Sequence, residues 1–353
     1  MRRARPLGGV VLVLVLALLP FSALTIPGVL PGMFASPGTL QLLAVCLVFA
    51  ALALSYDLLF GFTGLLSFGH ALYFAVGVYV TTIALTVWHW APAPAILLAL
   101  VCGVVLSGLV GAVSLRVTGI AFAMVTLAFA QAGSVLVVQD PLRVTGGEQG
   151  LGLDVSRIPD ALVGVVNTRN VYWVALALAV VVYLVVRVST TSSAGHMWAA
   201  IRENEQRIAV LGVRTYTFKL LAFVTASGLA TLCGVVYVLL VGGATADVTT
   251  PEFTLALLVM VVLGGSGVRW GAMLGGFLYT LLDQRLVALA GSDQVAALPG
   301  VIRVPLSQPL FLLGVLFVLV VLFLPGGVAS LVRSGGRRGR FAVRLPARDR
   351  ARA

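Results

Sequence analysis

Long apolar runs, separated by short polar connections, dominate the chain. Ten of them approach the length of about 20 residues that a helix needs to cross the hydrocarbon core of a bilayer. They lie near residues 7–25, 38–56, 66–88, 93–115, 117–139, 171–190, 219–241, 252–267, 270–290 and 308–326. The pattern predicts an all-α polytopic membrane protein with about ten transmembrane helices, since helices satisfy their own backbone groups in lipid.

The first run follows a basic start, with Arg2, Arg3 and Arg5. It fits either a retained first helix or a cleaved signal peptide. The run continues to Pro20 without a clear small-x-small cleavage motif, and this favours the retained helix.

Composition excludes a soluble protein. Hydrophobic residues make up 60% of the chain, charged residues 10%, and the mean hydropathy is +1.09, whereas soluble domains carry about 25% charged residues. The net charge of +11 does not indicate a nucleic-acid partner, because the basic residues lie between apolar runs and at the two ends. Cys46, Cys102 and Cys233 lie far apart inside apolar runs, so neither a disulfide nor a metal site is predicted.

The distribution of basic residues predicts the orientation. With the N-terminus in the cytoplasm, 18 of the 23 Lys and Arg residues fall inside, and the other 5 fall outside. Those outside are Arg143, Arg157, Arg169, Arg285 and Arg303. Cytoplasmic loops carry the excess of positive charge, so both termini are expected in the cytoplasm and the number of spans is even.

Three longer polar segments interrupt this pattern. Residues 140–170 form an extracytoplasmic loop of mixed charge, and residues 191–218 form a long cytoplasmic loop. The transmembrane domain covers residues 1–330. The basic tail 331–353 is expected to be disordered or to lie on anionic headgroups.

The spans lack the groups of an enzyme or of a self-sufficient pump. No HExxH or GxSxG motif and no paired intramembrane carboxylates occur. The single lysine, Lys219, is not part of a P-loop, so ATP is not expected to bind this chain. Charged residues approach the spans only near predicted helix ends, at Asp57, Asp283 and Arg285. If the protein pumps, its energy comes from another subunit.

The cytoplasmic loop contains an amphipathic helix that Ser192 or Ser193 caps and Gly212 ends. Its apolar residues at helical spacing are Met197, Ile201, Ile208 and Leu211, and its charged residues are Arg202, Glu203, Glu205 and Arg207. Such a helix either lies on the membrane surface or docks on a partner protein. A membrane-surface helix favours basic residues alone on its polar face, so the two glutamates favour docking.

Glycine clusters precede a helix in each half of the chain. The expected helix-packing glycines are Gly61, Gly64, Gly69, Gly264, Gly265, Gly267, Gly271 and Gly275. They hint at an internal repeat, or they reflect ordinary close packing of helices. The candidates for lining a path are Ser67, His70, Thr126 and Gln131, with interhelical hydrogen bonds as the alternative role.

Six ordered motifs over residues 40–330 resemble the branched-chain amino-acid ABC importer permeases, in particular the larger of their two permease proteins. The motifs are Gly61-Phe-Thr-Gly-Leu-Leu-Ser-Phe-Gly-His, Ala123-Met-Val-Thr-Leu-Ala-Phe-Ala-Gln131, Thr145-Gly-Gly-Glu-Gln-Gly-Leu151, Ala200-Ile-Arg-Glu-Asn-Glu205, Leu211-Gly-Val-Arg-Thr-Tyr-Thr-Phe-Lys-Leu-Leu-Ala-Phe223 and Val261-Val-Leu-Gly-Gly-Ser-Gly-Val-Arg-Trp-Gly271. One departure is the bulky Trp198 at the start of the cytoplasmic loop.

The resemblance implies a multi-pass subunit of the inner (plasma) membrane with no cofactor of its own. By the same resemblance, the subunit is expected to pair with a second permease and with two ATPases that bind ATP and Mg. An extracytoplasmic binding protein is expected to deliver the small-molecule substrate. The cytoplasmic loop becomes a coupling helix that docks an ATPase through Ala199, Ala200, Ile201, Arg202, Glu203, Glu205, Arg207 and Gly212. Permeases for urea and short-chain amides share much of the pattern, so the cargo is a branched-chain amino acid or one of these. An ion-coupled carrier or channel is the remaining alternative.

Overall fold

The computed structural model of the chain describes residues 11–330, with gaps at 12, 23–31, 163, 165–166, 291–307 and 325. The described part is mostly helical, from α1 (residues 13–18) to α11 (Pro309–Phe323). The predicted tail 331–353, the basic start of the chain and Arg303 lie outside the described residues.

Nine of the ten predicted runs coincide with a helix. These helices are α2 (Pro37–Asp57), α3 (His70–Thr86), α4 (Pro92–Ser114), α5 (Ile120–Gln139), α6 (Thr168–Thr191), α8 (Thr215–Val241), α9 (Pro251–Gly264), α10 (Arg269–Ala290) and α11. The loop between α6 and α8 holds α7 (Ser193–Val210). Five helices of the described part are long and apolar enough to span a membrane, and shorter apolar helices accompany them. The all-α polytopic fold is confirmed, and ten spans remain a prediction.

Proline sets where several helices begin. Pro37, Pro92, Pro251 and Pro309 each occupy the first turn of a helix, where the missing N–H would have no intrahelical partner and the fixed φ suits the helix. The apolar runs are thereby divided into separate helices with short connections.

Helix α2 lies at the centre of the bundle. It is apolar and buried nearly all round, and it packs against α6, α8, α9 and α10. Helix α4 lies at the periphery and exposes large apolar side chains such as Leu109. A helix that is hydrophobic on all faces belongs in a core or in lipid, and these two helices illustrate the two cases.

Glycine allows α9 and α10 to approach closely. A Cβ atom on Gly264 would overlap the backbone of Gly271, and a Cβ atom on Gly275 would overlap the carbonyl oxygen of Met260. The neighbouring atoms are backbone atoms, so the two helices touch along their main chains, as small residues permit in membrane bundles.

The loop at 140–170 is folded against the bundle. Its β1 (Leu151–Gly152) pairs antiparallel with β2 (Gly243–Ala244), which follows α8. The Asp140 carboxylate accepts hydrogen bonds from the N–H groups of Val144, Thr145 and Gly146, at 2.7, 3.0 and 3.0 Å. These hydrogen bonds, led by the one from Thr145, lower the pKa of Asp140 below its ordinary value.

Candidate functional site

Helix α7 consists of two helical segments. The Ser192 hydroxyl accepts a hydrogen bond from the Gly195 N–H and caps the first segment. Asn204 leaves the helical conformation, with φ −161° and ψ 98°. Its side-chain oxygen accepts a hydrogen bond from the Arg207 N–H at 2.9 Å, as an N-cap residue does. The single helix expected from the sequence is therefore broken at Asn204.

This break changes which side chains the loop exposes. Ile201, in the first segment and one of the expected docking residues, is buried. Leu211 is 72% exposed and Val210 is 87% exposed. The apolar residues that were expected on one face of a single helix are therefore divided, with Ile201 buried and Leu211 exposed, because the helix is broken at Asn204.

Trp198 attaches the first segment of α7 to α8. Its indole is 1% exposed, and its Nε1–H donates a hydrogen bond to the Phe218 carbonyl oxygen at 2.8 Å. A buried tryptophan normally finds such a partner. The bulky residue noted as a departure from the family pattern thus lies inside the subunit and not on the surface of the loop.

An ion pair with a buried lysine holds the second segment. The Lys219 ammonium group, on α8, pairs with the Glu205 carboxylate, and the Lys219 side chain is only 6% exposed. The Thr215 hydroxyl donates a second hydrogen bond to the same carboxylate at 3.2 Å. A buried charge needs a partner of opposite sign, so Glu205 stabilises the chain's single lysine.

Arg202 connects α7 to the helix break that follows α2. Its guanidinium donates a hydrogen bond to the Gly61 carbonyl oxygen, in the π-helical turn Leu58–Thr63. The Asp57 carboxylate, which precedes this turn, accepts a hydrogen bond from the Gly267 N–H at 2.9 Å. Asp57 and Gly267 are 210 residues apart in the chain. The two predicted glycine clusters therefore meet beside α7.

The expected docking residues fall into two groups. Ile201, Arg202 and Glu205 contact their own subunit. Arg202 is nevertheless exposed, as are Ala199, Glu203, Arg207 and Gly212, and Ala200 is half-buried. The exposed apolar pair Val210 and Leu211 lies next to them in the chain.

Hydroxyl side chains hold the unwound stretch 64–69 that leads into α3. The Thr126 hydroxyl, on α5, accepts a hydrogen bond from the Phe68 N–H at 3.1 Å. The Ser67 hydroxyl accepts one from the Gly69 N–H at 3.2 Å. The Thr254 hydroxyl, on α9, accepts one from the Ala71 N–H at 3.1 Å. Backbone N–H groups at a helix start need such acceptors, so side chains from two other helices and from the stretch itself define its shape.

The other two path candidates lie in different surroundings. His70 is fully buried, and its Nε2 lies 2.9 Å from the Ser55 hydroxyl oxygen. That hydroxyl also donates to the Leu52 carbonyl oxygen at 2.7 Å, so it accepts the Nε2–H. Gln131 is exposed on α5 and is not brought together with the buried candidates.

Several contacts at the site have no signal in the local sequence. The Thr254 acceptor lies 183 residues from its donor, and the pair formed by the Ser134 and Thr249 hydroxyl oxygens, 3.0 Å apart, spans 115 residues. An isolated threonine in an apolar run indicates only a possible hydrogen bond between helices. The partner is defined by the packing of the bundle.

The apolar helical bundle defines a polytopic helical membrane protein. Its charged loop helix, α7, packs beside a helix break that side chains hold in place. The profile of a protein family described as "Branched-chain amino acid transport system / permease component" matches residues 38–322. The chain belongs to this family, and it is a multi-pass protein of the inner membrane.

Relatives are similar over most of the chain. The high-affinity branched-chain amino acid transport system permease protein LivM of Escherichia coli (strain K12) is 25% identical over 325 residues, or 84% of this chain and 71% of the relative. The probable branched-chain amino acid transport permease protein LivM of Methanocaldococcus jannaschii is 26% identical over 58% of each chain. The autoinducer 2 import system permease protein LsrC of Salmonella typhimurium is 29% identical over 48% of this chain and 46% of the relative. No solved structure gives a significant match.

Proposed function

We propose that the chain is a transmembrane permease subunit of an ATP-driven importer for branched-chain amino acids, and that it forms half of the translocation path. Membership of the permease family over residues 38–322 carries the proposal. The absence of a P-loop from the sequence supports a division of labour in which ATP and Mg bind to a partner subunit.

Helix α7 is the surface proposed for docking the ATPase. Its exposed residues combine opposite charges, on Glu203 and Arg207, with the apolar pair Val210 and Leu211. A polar rim around an apolar centre is typical of a protein interface. The complete importer has two ATPase subunits, a second permease and an extracytoplasmic binding protein.

The path is proposed to pass the unwound stretch at Ser67, with Thr126 and the neighbouring Thr254 beside it. Broken helices place backbone groups at cavities in many transporters. Closure of the ATPases favours one arrangement of the coupling helices and thereby changes which side of the membrane the path faces. The exposed Gln131 on α5 is proposed to face the path at the second permease subunit.

One other class of cargo and one other mechanism are alternatives. A permease for urea or short-chain amides keeps the same assembly, and similarity to a permease named for autoinducer 2 import fits a family that serves more than one cargo. An ion-coupled carrier needs coupling charges within the spans. The buried Asp57 is held by the Gly267 N–H and lies at the end of α2, where it serves the helix junction.

The proposal is tested by assembling the chain in lipid with its second permease and candidate ATPase subunits. ATPase activity is then measured with the binding protein empty, loaded with leucine, or loaded with urea. Stimulation by the leucine-loaded protein is expected. Stimulation by urea alone changes the cargo, and failure to bind any ATPase refutes the importer function.

A pair of charge reversals tests the docking surface. Glu203→Arg places a second positive charge beside Arg202 on exposed α7 and is expected to abolish co-purification of the ATPase. Glu148→Arg, on the exposed loop at 140–170, is the matched control and should retain the ATPase. Equal retention by both variants would remove α7 from the interface.

A further inference from the structure

We propose that Arg202 is the positioning residue that transmits movement of α7 to the two glycine clusters. One cluster lies in the helix break at 58–69, and the other lies at the turn between α9 and α10. The role of Arg202 rests on the proposed function, because an ATPase must move α7. The contacts themselves are those of the single subunit.

The guanidinium of Arg202 lies where three segments meet. It donates to the carbonyl oxygen of Gly61, 141 residues away in the chain. A Cβ atom on Gly267 would lie 3.2 Å from Arg202 Nη1 and 3.2 Å from the Gly61 carbonyl oxygen. The side chain of α7 therefore touches the break after α2 and the turn before α10 at one point.

The contact between the two glycine segments is tight and polar. A Cβ atom on Gly61 would overlap the Asp57 carboxylate and the Gly267 nitrogen. The Asp57 carboxylate, fully buried, fixes the Gly267 N–H from the other side. Arg202 and Asp57 thus enclose a backbone contact that has no side chain to absorb displacement, so the segments are expected to move together.

The stem of Arg202 is held as well as its head. Gly64 has φ +77°, and a Cβ atom there would lie 2.9 Å from Arg202 Cγ. Arg202 is exposed, like its neighbour Glu203, whereas Ile201 on its other side is buried. Arg202 thus contacts the bundle through both its stem and its guanidinium while it remains open to solvent.

The contacts of both glycine segments continue to the path candidates. The break at 58–69 includes Ser67, and its Phe68 N–H is held by Thr126. Helix α9, which ends at the glycine turn, holds the start of α3 through Thr254. A displacement at Arg202 can therefore reach the unwound stretch 64–69 through both sets of contacts. Contiguous contacts are shown to be a coupling route only when a perturbation of them changes the coupling between transport and ATP hydrolysis.

The test compares uptake with ATP hydrolysis in proteoliposomes that contain the complete complex. Arg202→Met retains the length of the stem and removes the guanidinium. We expect the variant to bind the ATPase and hydrolyse ATP, but to transport at least about 5-fold less leucine per ATP. Arg116→Met, at an exposed arginine between α4 and α5, is the control and should match the wild type.

Unchanged leucine uptake per ATP in Arg202→Met would overturn the role of Arg202. So would loss of the ATPase from folded Arg202→Met, because Arg202 would then belong to the docking surface. If wild-type complexes show no ATP-driven uptake, the proposed function fails together with this role. If they transport and Arg202→Met transports equally, the role of Arg202 fails alone.

A second pair of variants leaves the charge of Arg202 in place. Gly64→Ala displaces the Arg202 stem, whereas Gly242→Ala introduces the same backbone strain at φ +79° with no atom within 4 Å. We expect lower uptake per ATP for Gly64→Ala than for Gly242→Ala. Equal values would overturn the proposal even if Arg202→Met does not fold.

Discussion

The substitution Gly275→Ala tests the close contact between α9 and α10. A Cβ atom at this position would overlap the Met260 carbonyl oxygen and would lie 2.6 Å from the Gly264 nitrogen. Both neighbours are backbone atoms, so no side-chain rotation can make room. The two helices must separate or shift for alanine to fit.

Two opposing terms set the magnitude. Alanine is favoured over glycine in a helix interior by about 1 kcal/mol. Overpacking costs about 1–3 kcal/mol, and a site that cannot relax belongs at the upper end of that range. The expected net effect of Gly275→Ala is a loss of about 1–2 kcal/mol in the free energy of unfolding. Helix propensity alone would predict a gain in stability.

The assay is thermal unfolding of the purified chain in detergent, followed by the loss of the monodisperse peak. Gly108→Ala in α4 is the matched control, because nothing lies within 4 Å of a Cβ atom there. The control should be as stable as the wild type or more stable, and Gly275→Ala should be less stable. Equal stability of the two variants would refute the backbone contact between α9 and α10.

Three further predictions concern the loops. Trp198→Phe removes the hydrogen bond from the indole and should lower the free energy of unfolding by about 1–3 kcal/mol, whereas half-exposed Trp88→Phe should change it by less than about 0.5 kcal/mol in the same thermal assay. Glu205→Gln leaves the Lys219 ammonium buried without a countercharge and should lower the free energy of unfolding by about 1–2 kcal/mol, after allowance for the exposure of Glu205. The double variant with Lys219→Met should recover most of this loss, and no recovery would refute the pairing. Because the pKa of Asp140 is lowered in the folded chain, its hydrogen bonds stabilise the loop above the ordinary carboxyl pKa of about 3.9, and this stabilisation is lost as the pH falls through the folded value. Hydrogen exchange of the 144–146 amides, corrected for intrinsic rates, should show this loss in the wild type and not in Asp140→Asn.

The positions of the helices could be predicted because they depend on local sequence. Each apolar run is long, and several begin at a proline, such as Pro92 and Pro251. The run 93–115 corresponds to Pro92–Ser114, and the short run 252–267 corresponds to Pro251–Gly264. Burial in lipid or in the core requires the same apolar residues, so the run marks the helix whichever surrounds it.

The geometry of the site depends on contacts that the local sequence does not specify. The loop residues read as one amphipathic helix, but Asn204 caps a second segment and places Leu211 on the surface. Both glycine clusters were recognised as packing sites, yet their meeting at Arg202 follows from the arrangement of helices far apart in the chain. Residue types predicted which residues pack closely or form hydrogen bonds, whereas the packing of the bundle determines their partners.

In the proposed function, ATP hydrolysis by a partner drives a branched-chain amino acid through this subunit. The most direct measurement is uptake of labelled leucine into proteoliposomes that hold the complete complex, with ATP on the ATPase side and the binding protein on the other. We expect labelled leucine to accumulate only with both ATP and the binding protein. Unlabelled isoleucine or valine should reduce this accumulation, whereas unlabelled urea should not. Leucine uptake that proceeds without ATP, or follows an ion gradient instead, would contradict the proposed function.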